Sequence, residues 1–375
     1  MNDEPQSEFS AVSWPLLTAD LPGITGTLKA RPEDFVVEEI PAYPPCGDGE
    51  HLFLWIEKSG VSADELTRHL SRALDISPRE LGIAGLKDKH AVTRQFVSVP
   101  RRVEDRLQAI DTERIRLLAA TPHGNKLRTG HLRGNRFQIL VRDPVGWALL
   151  PDQKSDGQEC PSHAAALAIA ERLRQTGVPN YYGSQRFGNK HSTLMLGMKL
   201  LTDARTGSDA GAKRPNQRFL HRLALSAAQS WLFNQVLAER LRDGLLQQVL
   251  LGDIMQKCES GGIFDVRDVA VEQPRFESRE TVITGPMFGP KMRPAQHESG
   301  EREQRVLTAA GLTLDDFGRF GQLAEGTRRP LLIWPEDLQV RATADGLLFE
   351  FRLPSGAYAT VVLREFMKTE EPNGE

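Results

Sequence analysis

Residues 136–142, RFQILVR, put Phe137, Ile139 and Val141 on one face and Arg136, Gln138 and Arg142 on the other, the period-two pattern of a half-buried strand. The pattern returns near the C-terminus. There LQVRA (338–342) and LLFEFRL (347–353) flank TADG, whose Asp345–Gly346 pair signals a hairpin. The chain between has a different period. SHAAALAIAERLRQTG (162–177) carries an apolar stripe with Ser162 as its cap, Gly177 as its stop and Pro179 just beyond. RLALSAAQSWLFNQVLAERLRDG (222–244) is the longest helical segment and stops at Gly244. Strand-rich ends around a helical middle constrain the fold to one sheet domain interrupted by an inserted domain.

The N-terminal part fills out that sheet. RPEDFVVEEI (31–40) and HLFLWIEK (51–58) are rich in β-branched and aromatic residues, and the second is apolar on both alternations, as in a strand buried on both faces. SADELTRHLSRAL (62–74) opens with a capping box, Ser62 with Glu65, and sets Leu66 and Leu70 on one helical face. SPRE (77–80) repeats the signature, with Pro78 at the first helical position. GLKDKHAVTRQ (85–95) then places Asp88 in a glycine-bearing turn ahead of the strand-like TRQFVSV. From about residue 250 to 294, glycines, prolines and charges predict no definite element. Both polar tails are expected to fray.

A chain of 375 residues holds about two or three domains. Its 39% hydrophobic and 26% charged residues supply an ordinary core. A net charge of −3 gives no global nucleic-acid signature, which leaves a locally basic patch open. Cys46, Cys160 and Cys258 are far apart and odd in number, with no C-x-x-C and no Cys/His cluster at metal-ligand spacing. That argues against a zinc site and a disulfide framework and for a reducing cytoplasm. The acidic start, MNDEPQSEFS, is unlike a signal or transit peptide, and no apolar stretch approaches membrane-spanning length.

GIAGLKDK lacks the Walker spacing and the Ser/Thr after its lysine, so it is not a phosphate loop. Motifs of the GxSxG, HExxH and GxGxxG kinds are absent. Asp88 stands between Lys87 and Lys89, whose charge favours its ionised form. Two readings fit it: a solvated turn, and an ionised carboxylate that attacks or stabilises an electron-poor sugar carbon. Its nearest acid, Glu80, is engaged in a cap, which leaves no carboxylate pair of the glycosidase kind. KLRTGHLRGNRF (126–137) interleaves Lys126, Arg128, His131, Arg133 and Arg136 with glycine and ends in Phe137. Such a segment fits phosphate contacts, with Asn135 and Phe137 on one strand face for a base edge and a base plane. It also fits a polar hairpin whose Phe137 belongs to the core. GVPNYYGSQRFGNKHS (177–192) is either a functional loop or a domain linker. His90, His131 and His191 show no triad partner.

Taken together and in order, GLKDKHAVTRQ, LRGNRFQILVR, VPNYYGSQRFG, LSAAQSWLFN and LPSGAYATVVLRE resemble the TruD family of tRNA pseudouridine synthases, and LKARPEDFVVEE resembles its N-terminal signature. The similarity runs from about Gly26 to Phe366. It implies a mixed α+β fold: a pseudouridine-synthase catalytic domain with a largely antiparallel sheet, in parts 1–176 and 331–375, interrupted by an inserted α/β TRUD domain over 177–330. It implies Asp88 as the catalytic carboxylate. Phe35, Asn135, Phe137 and Tyr358 match positions lining the uridine pocket, and Tyr358 departs mildly from the phenylalanine frequent there. Lys29 and Arg364 match basic positions near the pocket, with Arg364 the expected partner of Asp88. The activity implied is isomerisation of a uridine within RNA, most often uridine 13 in the D arm of tRNA. The implied partner is tRNA, with no cofactor, no metal, no membrane and no obligate protein partner. One alternative is an RNA-binding protein of this fold that has lost catalysis, which the presence of Asp88 argues against. Another is an unrelated hydrolase using Asp88 with a distant acid, which would release a free product where isomerisation leaves the RNA mass unchanged.

Overall fold

The computed structural model describes residues 13–144, 160–203 and 215–369. In chain order the elements are β1 (Phe35–Pro41), β2 (His51–Ser59), α1 (Ala63–Leu74), β3 (Gly82–Ile83), β4 (Val92–Pro100), β5 (Ile115–His123), β6 (Leu132–Arg142) and α2 (Pro161–Thr176). There follow β7 (Val178–Pro179), α3 (Ser192–Asp203), α4 (Pro215–Arg242), β8 (Ile254–Lys257), β9 (Ile263–Asp265), α5 (Val269–Glu277), β10 (Thr281–Met287), α6 (His297–Ala309) and α7 (Leu314–Gly318). The chain ends with β11 (Thr327–Pro330), β12 (Leu332–Ile333), β13 (Glu336–Thr343), β14 (Gly346–Pro354) and α8 (Ala359–Met367).

Two compact units result. One comprises Asp20–Gln175, Trp334–Ala359 and the described residues from Phe366 on; the other comprises the described residues up to Ala19, Thr176–Ile333 and Thr360–Glu365. The first carries an eight-stranded sheet in the order β13-β14-β6-β1-β4-β2-β5, with β3 paired to β4. Only β1 and β4 run parallel, which the long connection through β2, α1 and β3 permits. Chain ends therefore meet within one sheet: β6 has β1 on one side and β14 on the other.

The strand periodicities hold residue by residue. Phe137, Ile139 and Val141 are buried, while Gln138 is exposed. Leu52, Leu54 and Ile56 of β2 join Val97 and Val99 of β4 beneath Leu66, Leu70 and Leu74 of α1. The capping box of α1 forms in full, with Ser62 Oγ accepting from Glu65 N and Glu65 Oε2 accepting from Ser62 N at 2.7 Å. Two details differ from the sequence reading. Helix α2 begins at Pro161, with the carbonyl of Cys160 accepting from His163 and Ala164, so Ser162 lies buried inside the first turn. The β13–β14 loop is Ala344–Asp345, and Gly346 pairs with Thr343. That glycine is needed for close approach: at φ 142°, a Cβ there would lie 2.1 Å from the carbonyl oxygen of Val141.

Gly134 plays the same part at the other end of β6, where an added Cβ would lie 2.2 Å from the carbonyl oxygen of Leu353. Gly134→Ala is therefore expected to force β14 off β6 and lower the melting temperature, with a loss of at least about 1–3 kcal/mol. Thermal denaturation of the purified variant checks it.

The second unit builds its core from α3 and α4, with Leu194, Met198 and Leu201 against Leu225, Leu232 and Val236. Its four-stranded sheet runs β11-β10-β8-β9. Strand β10 is buried at every position, within the stretch where the sequence indicated no element. Two buried ion pairs fix this unit, Arg328 with Glu303 at 2.7 Å and Arg240 with Asp253 at 2.7 Å. No helix among the described residues is long and apolar enough to cross a membrane. The three cysteines are free.

Candidate active site

The face of the large sheet that is aliphatic under α1 turns polar toward the sheet centre. Register places Lys58 of β2 opposite Thr93 of β4, Thr93 opposite Val37 of β1, and Val37 opposite Phe137 of β6. One pleat further along, Glu39 faces Asn135, and Asn135 faces Leu353. Side chains on alternate strand positions share a face, so Phe35, Glu39, Lys58, Thr93, Gln95, Asn135 and Phe137 all stand on this one.

The loop from Ala84 to Ala91, joining β3 to β4, is tethered across that face. The Lys87 side chain pairs with Glu39: its Nζ lies 2.9 Å from Glu39 Oε2, both groups being buried. Burial pushes the Glu39 carboxyl above the ordinary carboxylate range, and the lysine opposes that rise. Lys58, fully buried, donates to the carbonyls of Asp88 at 2.9 Å and of Val61 at 2.6 Å. At the loop's start, the N–H of Gly130 donates to Ala84 O at 2.9 Å. The loop is thus held by its backbone at 84 and 88 and by the Lys87 side chain, while the Asp88 side chain stays 43% exposed.

The carboxylate has a cation of its own. Lys29 Nζ lies 3.4 Å from Asp88 Oδ2 and 4.5 Å from the centre of the Phe35 ring. Phe35 meets Phe137 edge-on at 6.4 Å, and Phe137 stacks on Phe351 at 5.4 Å. Asn135 Oδ1 and both amide atoms of Gln95 are buried with no hydrogen-bond partner among the described residues. Buried polar atoms are nearly always paired, so this concentration marks a surface that accepts something polar. Among the described residues there is no His/Cys/Asp/Glu group able to hold a metal ion.

A family model described as tRNA pseudouridine synthase D (TruD) matches residues 11–208 and 204–366. The chain belongs to the TruD family. The tRNA pseudouridine synthase D of Anaeromyxobacter sp. (strain Fw109-5) is 45% identical over 354 residues, spanning 94% of this chain and 96% of the relative. That of a Thermus thermophilus strain is 42% identical over 363 residues, spanning 96% and 94%. The crystal structure of a TruD protein from Methanosarcina mazei matches with a TM-score of 0.75 over 99% of each chain at 24% identity. It shares the mixed α+β, mostly antiparallel fold.

In this TruD family member the expected site residues fall into two groups. Lys29, Phe35, Asp88, Asn135 and Phe137 all lie in the large-sheet unit, linked by the contacts and register above. Tyr358 is half-buried in the same unit, in the turn after β14 that is anchored by Ser355 N donating to Arg133 O at 3.0 Å. Arg364 lies on α8 in the other unit; its guanidinium donates to Trp14 O and sits 6.0 Å from the Tyr181 ring. The carboxylate partner seen for Asp88 is Lys29.

Lys58, Glu39 and Gln95 escaped the sequence reading. A signal for Lys58 existed. Leu52, Leu54 and Ile56 alternate inward along β2, and Lys58 continues their series, a cation at a core position. Burial lowers its pKa from 10.5 to about 8, with the charge of Lys87 acting the same way and Asp88 and Glu65 opposing. Between about 8 and 10.5 the unfolded chain then binds a proton that the folded chain does not, so this group makes stability rise with pH across that window. Relative to Lys58→Met, the wild-type chain should gain stability as pH rises above 8. Urea denaturation of both proteins at about pH 7.5 and 9.5 measures it; a constant difference would mean that Lys58 titrates normally.

Proposed function

We propose that this protein is a tRNA pseudouridine synthase that isomerises uridine 13 of the D arm, with Asp88 as the catalytic carboxylate. The observation that carries the reading is the half-exposed Asp88 carboxylate paired with Lys29, which lies over the buried Phe35 ring beside Phe137. It sits in a chain whose relatives, matched over nearly their whole length, are named tRNA pseudouridine synthase D. The catalytic domain comprises 1–176 and 331–375 and the inserted TRUD domain 177–330, a division close to that of the two compact units except for the residues up to Ala19 and Thr360–Glu365. The cytoplasm, where tRNA is processed and thiols stay reduced, is its place of action.

The chemistry is an isomerisation without an external donor. The N1–C1′ bond breaks, uracil turns, and C5 bonds to C1′; the hydrogen leaves C5 and N1 gains a proton. An ionised carboxylate serves as nucleophile at C1′, as base at C2′, or as nucleophile toward the uracil ring. Lys29 pairs with that carboxylate and holds it aligned. Phe35 and Phe137 supply apolar planes for an extruded base, and Asn135 Oδ1 accepts from its N3–H. Tyr358, in the turn after β14 of the same unit, adds a further ring to the substrate contacts.

With a net charge of −3, tRNA binding rests on local basic surface and should weaken as salt rises. The reading is tested by incubating unmodified tRNA transcript with the purified protein and mapping pseudouridine by carbodiimide-dependent stops of reverse transcription. A new stop at uridine 13 is expected; a stop elsewhere refutes the position, and none refutes the activity.

A further inference from the structure

Leu86, two residues before Asp88, is 84% exposed, the most exposed large apolar side chain among the described residues. Lone exposed leucines are common, and most need no explanation. This one differs because the loop is tethered on both sides: the Ala84 and Asp88 carbonyls accept from Gly130 N and Lys58 Nζ, and the Lys87 side chain pairs with Glu39. A fixed loop that presents a bare leucine forgoes burial that the same side chain gains in a core. The anchors impose that exposure; fraying does not.

We propose that Leu86 is an apolar wedge that enters the RNA base stack when the target uridine turns out toward Asp88. The inference rests on the function proposed above and assigns a residue to its costliest physical step. Extruding a stacked base is uphill, because pairing and stacking are both lost. An apolar side chain inserted between bases restores contact with the neighbours left behind, as wedge residues do in bent duplexes. Residues two apart lie within about 7 Å. One loop therefore delivers the wedge to the stack and the carboxylate to the extruded nucleotide. The ligand of Leu86 is the pair of bases flanking the target, and Leu86 acts as a positioning residue.

The test places 2-aminopurine beside the target in a tRNA transcript, and the Asp88→Asn protein is added so that binding occurs without turnover. Unstacking should raise the fluorescence, and Asp88→Asn/Leu86→Ala should bind without the rise. In the active protein, Leu86→Ala should lose about tenfold or more in kcat/KM on folded tRNA, whereas Leu86→Met, which keeps an apolar reach, should lose little. An undiminished fluorescence rise in the double variant overturns the wedge, as does Leu86→Ala turning over folded tRNA at the wild-type rate. Failure of the wild-type protein to form pseudouridine would instead refute the underlying function, and that outcome is visible in the same assay before any variant is compared.

Discussion

Asp88→Asn is expected to abolish pseudouridine formation, by at least about 10³-fold in kcat, while the protein folds and binds tRNA as before. The substitution keeps the shape of a half-exposed side chain and removes only the charge facing Lys29. The Lys58 bond to the residue 88 carbonyl does not depend on the side chain, so the loop stays tethered. An amide neither attacks C1′ nor accepts a proton from C2′ at a useful rate. Single-turnover assays with saturating enzyme, paired with a filter-binding titration, separate chemistry from binding. Retained turnover would move the catalytic role elsewhere; lost binding would make Asp88 a structural residue of the RNA surface.

Lys87→Met should be the most damaging change to the framework of the site. The Glu39 side chain is fully buried, and the ammonium 2.9 Å away is its ion-pair partner. Removing one member of a buried pair costs about 3–5 kcal/mol, because the remaining charge is uncompensated. The loop would also lose one of its anchors beside Asp88, so activity should fall along with stability. The deficit should depend on pH. Burial already raises the Glu39 pKa, and without Lys87 it rises further. As pH falls, the folded variant takes up a proton that removes the buried charge, so the stability difference from wild type shrinks toward acid pH. Urea denaturation at about pH 7.5 and 5.5 measures this, and Glu39→Gln/Lys87→Met should recover much of the loss. A pH-independent deficit would assign the effect to packing of the lysine stem instead.

The sheet was legible because the periodicities at residues 136–142 and 347–353 hold on the buried face: every inward position is apolar, and only Leu140 and Leu348 break the polar run on the other face. The capping boxes at Ser62 and Ser77 read correctly for a similar reason, since each is satisfied by residues within one turn. What failed to show depends on partners distant in sequence. Strand β10 carries Gly285 and Pro286, which locally argue against a strand, and is fixed by neighbours β8 and β11 and by burial at every position. Lys87 and Lys89 looked like the charges around Asp88; chain neighbours point in different directions, and the cations that hold the residue are Lys29 and Lys58. Ser162 looked like a cap because its identity suits one, but the helix starts a residue earlier and buries it. Phe137 was open between core and base platform; it is buried between two other buried rings, Phe351 and the Phe35 that lies beneath Lys29.

The most direct test of catalysis by Asp88 uses tRNA transcribed with uridine tritiated at C5. Bonding C5 to C1′ requires that this tritium leave, whereas hydrolysis or mere binding retains it. The purified wild-type protein, without added cofactor, is expected to release one equivalent of tritium per tRNA, and Asp88→Asn is expected to release none. Retention of tritium by the wild-type protein, or its release by Asp88→Asn, would contradict that role.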